Sequence, residues 1–142
     1  MNWVGLLNLS STAQSPVNLK ALHGRVKLWD MQAYAQSKLA LTMWSRQLAL
    51  SHPNGPVIVA LNPESLLASQ MVEKAFRVSG KKLSIGADIL IRASLFDEFA
   101  GASGQYYDND KRAFARPHAD ALNDQKSQAV MAAINGILKE SN

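Results

Sequence analysis

The chain reads as an α/β protein on a parallel sheet, and three observations lead there. The runs "WVGLLNLSS" and "PVIVALNP" have no polar face, as expected of strands covered by helices on both sides. Between them, from Met31 to Ser51, apolar residues recur at helical spacing. Beyond the second run the alternation continues, giving strand, helix, strand, helix, strand, helix. That order is the grammar of right-handed crossovers on a parallel sheet.

The elements follow in order. The first strand ends in small polar residues, and a polar loop from Thr12 to Asp30 is broken by Pro16 and Gly24. Asp30 is a plausible N-cap for the long helix. Leu41, Trp44 and Leu48, with Ser37 before them, define its expected buried stripe, and "HPNGP" ends it. Pro56 to Pro63 is a second strand rich in β-branched residues. A short helix around Ser69 to Phe76 leads through "RVSGKKLS" to a third helix, Ser84 to Phe99. Ile85, Ile89, Arg92 and Phe96 lie along one side of it. "GQYYDND" is a short third strand. The last helix starts at Asn123 or Asp124 and runs to about Glu140, with Val130, Ile134 and Ile137 facing in.

Composition fits one folded domain without a linker. Of 142 residues, 47% are hydrophobic and 18% charged, which excludes a disordered chain. The net charge of +4 is spread over separate loops, with no basic helix, so a nucleic-acid partner is not expected. There is no cysteine, hence no disulfide, thiolate nucleophile or Cys-based metal site. His23, His52 and His118 lie far apart and read as surface residues, with no metal-ligand spacing. No segment is long enough to span a bilayer and no targeting signal stands out, so the sequence points to the cytoplasm and to no membrane partner.

The chemistry is carried by "AYAQSKLAL". Tyr34 and Lys38 are one helical turn apart and share a face. A free phenol ionises near pH ~10. An ammonium beside a phenol favours the phenolate and turns the hydroxyl into a usable general acid or base. Ser10 and Ser11 close the first strand, and strand ends are where parallel sheets place their sites.

The ordered set "LLNLSS", "AYAQSKLAL" and "VIVALNPESLLAS" resembles the short-chain dehydrogenase/reductase family over nearly the whole chain, and "GQYYDNDKRAF" looks like that family's closing strand. The resemblance implies a Rossmann-like, doubly wound parallel sheet, of which three C-terminal strands with flanking helices are present. It implies reversible hydride transfer between NAD or NADP and a carbonyl/alcohol substrate. Tyr34 then matches the catalytic acid/base. Lys38 matches the residue that lowers the tyrosine's pKa and bonds the nicotinamide ribose. Ser11, rather than Ser10, matches the substrate-orienting serine. Asn62, Pro63 and Leu66 fall in the loop that passes along the nicotinamide. Val17 to Asp30 would be an inserted substrate loop, and Thr12 to Asp30 with Ser65 to Leu83 would select the substrate.

The pattern departs from the family in three places. Glu64 stands where the family has a glycine after proline, and is expected to point outward. The family's threonine position falls on Ala68, with Ser69 next to it. The glycine-rich turn that grips the cofactor's pyrophosphate has no counterpart here, nor has the helix carrying a fourth catalytic residue, an asparagine. The sequence therefore looks like the C-terminal, catalytic half of such an enzyme. Its first strand would keep one bare apolar edge, inviting a homo-oligomer or a complementing chain. A second reading is a non-catalytic interaction module that associates through the helices forming the family's dimer interface.

Overall fold

The computed structural model describes residues 4–65 and 81–141. Its centre is a four-stranded sheet in the order β1-β2-β3-β4. The strands are β1 (Val4–Leu9), β2 (Val57–Asn62), β3 (Tyr106–Asp108) and β4 (Ala113–Ala115). The first three run parallel; β4 returns antiparallel on β3. The protein is thus α/β with a mostly parallel sheet, and it has one more strand than the sequence suggested. The fourth comes from "AFA" in the tail, where three residues are too few for a periodicity to show.

Helices cover both faces. On one side lie α2 (Asp30–Ser51) and α4 (Asp124–Glu140); on the other lies α3 (Leu83–Leu95). A one-turn helix, α1 (Leu19–Leu22), interrupts the first loop and is capped by the Asn18 side chain. Because β2 is covered on both faces, all six of its residues are buried. Val57, Val59 and Leu61 meet Ile89, Ala93, Phe99 and Tyr107 in one core. A second core joins Leu39, Ala40 and Met43 of α2 to Ala121 and Val130. The short helix expected around Ser69 to Phe76 falls outside the described residues.

Several expectations change at this level. The first strand is not buried between helices: it closes the described sheet, Leu9 is 42% exposed, and among the described residues only β2 pairs with it. Asp30 is the first residue of α2, not its cap; Trp29 precedes it, with its amide donating to Gln32 Oε1 at 3.4 Å. An acidic residue in the first turn still complements the helix dipole.

The buried side of α2 is also not the expected stripe. Leu39, Ala40, Thr42, Met43, Ser45 and Ala49 are buried, whereas Leu41, Trp44 and Leu48 are only half-buried and Ser37 is exposed. Small and hydroxyl side chains face the sheet because β1 offers polar partners there. Asn8 Nδ2 donates to Ser45 Oγ at 2.8 Å, and Ser10 Oγ shares a 2.7 Å hydrogen bond with Thr42 Oγ1. These hydroxyls also bond carbonyls one turn back on their own helix, Thr42 to Lys38 and Ser45 to Leu41.

On α3 the inward residues are Gly86, Ile89 and Ala93. Ile85 and Phe96 point out, at 36% and 58% exposure. The helix stops at Leu95, and a 3₁₀ turn, Asp97–Phe99, carries Phe99 back into the core. The last helix fits the sequence reading closely: Asn123 caps it, accepting from the Lys126 amide at 3.0 Å, and Val130 is buried.

Gly5 sits where the β1–β2 register shifts. A methyl group there would lie 2.5 Å from Pro56 Cβ, closer than packed carbons can stand. Gly5→Ala is therefore expected to cost about 1–3 kcal/mol of stability, read as a lower urea midpoint. An unchanged midpoint would show that the strand moves aside freely.

Candidate active site

The candidate residues gather at the carboxyl end of the sheet. Ser10 continues β1, its amide donating to Leu61 O at 2.8 Å. In the trans peptide that joins them, the Leu9 carbonyl points opposite to the Ser10 amide, away from β2 and toward the edge of β1 that has no strand partner among the described residues. Lys38 Nζ reaches over from α2 and donates to that carbonyl at 2.8 Å. The same ammonium lies 5.5 Å from the centroid of the Tyr34 ring, within cation–π range. Tyr34 and Lys38 are therefore neighbours in space as well as in sequence, and the lysine is fixed by the strand end.

The two serines differ in role. Ser10 is buried and committed to the scaffold, with its hydroxyl against Lys38 O at 3.1 Å and against Thr42. Ser11 is half-buried, and among the described residues its hydroxyl accepts only from the Ala13 amide, at 3.1 Å. Among the described residues no hydrogen bond joins Ser11 to Tyr34.

Asn62 ends β2 fully buried, its amide donating to Asp108 Oδ1 and Asp110 Oδ2, both at 2.9 Å. Pro63 O accepts from Asn109 Nδ2 at 2.8 Å. Leu66, Ala68 and Ser69 lie outside the described residues.

Glu64 does not point outward. Its side chain is only 11% exposed and is hydrogen-bonded to Lys81. Its backbone has φ 152°, a region glycine enters freely and other residues at a cost of about 1–3 kcal/mol. Glu64 thus adopts a backbone shape that favours glycine, with its side chain paired to Lys81. That hydrogen bond raises the Lys81 ammonium above its ordinary value against slight desolvation, with the Glu64 and Asp110 charges adding to it.

A polar cluster invisible in the linear sequence surrounds these residues. Asp110 accepts from the Ser65 amide at 2.9 Å and from the Ser65 hydroxyl. Burial pushes the Asp110 carboxyl up, but the hydrogen bonds donated by Ser65 and by Asn62 hold it below the usual range. Tyr106 is pushed well above the ordinary phenol value by burial and by the Asp108 and Asp110 charges, so its hydroxyl stays protonated. That hydroxyl donates to Ser11 O at a long 3.4 Å.

His118, read as a surface residue, is half-buried, and its Nδ1 accepts from the Asp120 amide at 3.1 Å. The one available signal was the spacing Asp108-x-Asp110 directly after an apolar strand. Nothing in the sequence linked it to Asn62 or Ser65.

Among the described residues no group of three or more His, Cys, Asp or Glu could hold a metal ion, and no helix is long and apolar enough to cross a membrane. No protein-family model matches the chain, and no curated protein does either.

Proposed function

We propose that the chain carries the proton-transfer centre of an NAD- or NADP-dependent oxidoreductase of the short-chain dehydrogenase/reductase type. One observation carries the reading: Lys38 is anchored on the Leu9 carbonyl with its charge 5.5 Å from the Tyr34 ring. A cation fixed beside a phenol stabilises the phenolate during proton exchange. In this reading the Tyr34 hydroxyl gives its proton to a substrate carbonyl oxygen as hydride reaches the carbon, and takes it back in the reverse direction. Ser11, whose hydroxyl proton has no acceptor among the described residues, orients that oxygen.

The donors present suit the nicotinamide-ribose end of the cofactor, which supplies the hydride. An ammonium has three N–H groups and Leu9 takes one, leaving Lys38 two for ribose hydroxyls. Among residues 1–142 no glycine-rich turn exists to grip a pyrophosphate, so cofactor affinity is expected to be weak.

The test is fluorescence titration of the chain with NADH and NADPH. One of the two is expected to bind in the millimolar range, at least tenfold more weakly to Lys38→Ala and equally well to Tyr34→Phe. Where turnover of a carbonyl substrate is measurable, Tyr34→Phe is expected to cut it by about 10²–10⁴-fold. Equal binding by Lys38→Ala, or none by the parent, sinks the proposal.

A second reading has its own observation. Leu41, Trp44 and Leu48 of α2 are half-buried and stand outside the core it shares with α4, and one edge of β1 has no strand partner among the described residues. An interaction module would use both surfaces. Dimerisation by sedimentation, without a cofactor signal, favours it.

A further inference from the structure

Two rungs of hydrogen bonds join the first strand to α2, and both have the same design. Asn8 Nδ2 donates to Ser45 Oγ at 2.8 Å, and Ser45 Oγ donates to Leu41 O at 2.7 Å. Two residues further along, Ser10 Oγ stands 2.7 Å from Thr42 Oγ1, and Thr42 Oγ1 donates to Lys38 O at 2.9 Å. Each hydroxyl has one proton to give. With that of Thr42 spent on the Lys38 carbonyl, Thr42 Oγ1 is the acceptor for Ser10. Ser10 Oγ also lies 3.1 Å from the Lys38 carbonyl, so both hydroxyls converge on the backbone of the lysine. Ser10 and Thr42 are 4% and 2% exposed, a low-dielectric setting in which such bonds are stronger.

The second rung stands at a particular place on the helix. Among the described residues every buried position of α2 lies from Leu39 onward, so the turns that carry Tyr34 and Lys38 reach past the core. There the Asn18 amide bonds Gln36 Oε1 at 2.8 Å, but Asn18 belongs to a loop. The Ser10 rung is thus the last buried hydrogen bond between sheet and helix before the pair. It comes from the same strand end that accepts the Lys38 ammonium, on Leu9 O at 2.8 Å. Consecutive residues therefore hold Lys38 twice, Leu9 by its side chain and Ser10 by its backbone.

We propose that Ser10 and Thr42 are positioning residues for Lys38, setting where its ammonium stands beside the Tyr34 ring. A lysine side chain is a flexible four-carbon stem and keeps one place only when both of its ends are fixed. Leu9 fixes the ammonium, and the rung fixes the backbone. The meaning for catalysis rests on the oxidoreductase reading above, whereas the hold on Lys38 does not.

The test follows Lys38 by NMR in the full chain, isotope-labelled at the lysine Cε carbons, with its signal assigned by its loss in Lys38→Arg. A held ammonium keeps the two protons on Cε in different surroundings, so the parent is expected to show them apart. Ser10→Ala and Thr42→Val are expected to merge them, and Thr42→Ser, which keeps the hydroxyl, to retain the separation. Ser127→Ala is the control, because it removes a fully buried hydroxyl whose bonds go to Asp120 O and Ala121 O; the Lys38 signals are expected to stay apart. The variants are then titrated with the better bound of NADH and NADPH. Ser10→Ala is expected to weaken binding about fivefold, and Ser127→Ala to leave it unchanged. Should Ser10→Ala not fold, the two Thr42 variants decide. Signals already merged in the parent, signals still apart in Ser10→Ala, or equal behaviour of Thr42→Ser and Thr42→Val would each overturn the positioning role. So would equal cofactor binding by Ser10→Ala and a binding parent. A parent that binds neither cofactor sinks the oxidoreductase reading alone, and the Lys38 signals still decide this role.

Discussion

Phe99→Ala is expected to lower unfolding stability by about 3–5 kcal/mol, the usual loss when a buried aromatic is truncated. Phe99 is fully buried against Tyr107 and Phe114, with ring centroids 5.0 and 5.1 Å away, and those two rings stand 5.2 Å from each other. Such contacts add about 0.5–1.5 kcal/mol per pair to the area term. The triangle also ties the 3₁₀ turn after α3 to β3 and β4, so truncation loosens both.

Neighbouring groups resist collapse of the cavity. Arg92 holds Glu98 through two hydrogen bonds of 2.8 and 2.7 Å and donates to the Tyr107 hydroxyl at 2.9 Å. That contact keeps Glu98 below its ordinary carboxylate value and raises the Arg92 guanidinium. Urea unfolding followed by circular dichroism gives the number. A loss below about 1 kcal/mol would mean that Phe99 is not the keystone of this core.

Asn62→Ala is expected to cost about 2–3 kcal/mol, because it strips donors from two carboxylates at once. Asp108 is buried and Asp110 partly so, and an acceptor left unsatisfied inside a protein loses its solvation without return. The effect should depend on pH. Burial raises the Asp110 carboxyl, but the Ser65 and Asn62 hydrogen bonds override it and leave the group below its ordinary value of 3.8.

A carboxyl lower in the folded than in the unfolded chain stabilises the fold above the unfolded value. That contribution disappears as pH falls through the folded value. The parent should therefore lose stability as pH drops below about 4, and Asn62→Ala should lose less over the same span. Parallel pH profiles for the two proteins would show that Asn62 does not act through Asp110.

The sequence showed the elements and hid their orientation. β2 was legible because a strand covered on both faces has no polar position to blur its apolar run. On α2 the length and ends were readable, but the buried side was not. The large residues Leu41, Trp44 and Leu48 carry the visible periodicity, whereas Thr42, Ser45 and Ala49 face the sheet. Hydrophobicity alone cannot announce a helix face that meets Asn8 and Ser10 through hydroxyls. On α3, apolar residues on several sides left the inward face undetermined in the same way.

The site divides along the same line. Tyr34 and Lys38 are four residues apart on a helix, and that local geometry is set by the chain's own periodicity. Its consequence, a lysine spanning to the Leu9 carbonyl, needed the strand edge to be placed first. The cluster of Asn62, Asp108 and Asp110 joins residues from distant parts of the chain. The amino-acid order by itself determined the α/β alternation and the phenol–ammonium pair, since both depend on spacings of a few residues. Tertiary structure alone decided which helix faces are buried, that Glu64 turns inward, and which polar groups meet at the sheet's carboxyl end. Those depend on the partners that parallel strand pairing brings within hydrogen-bond reach.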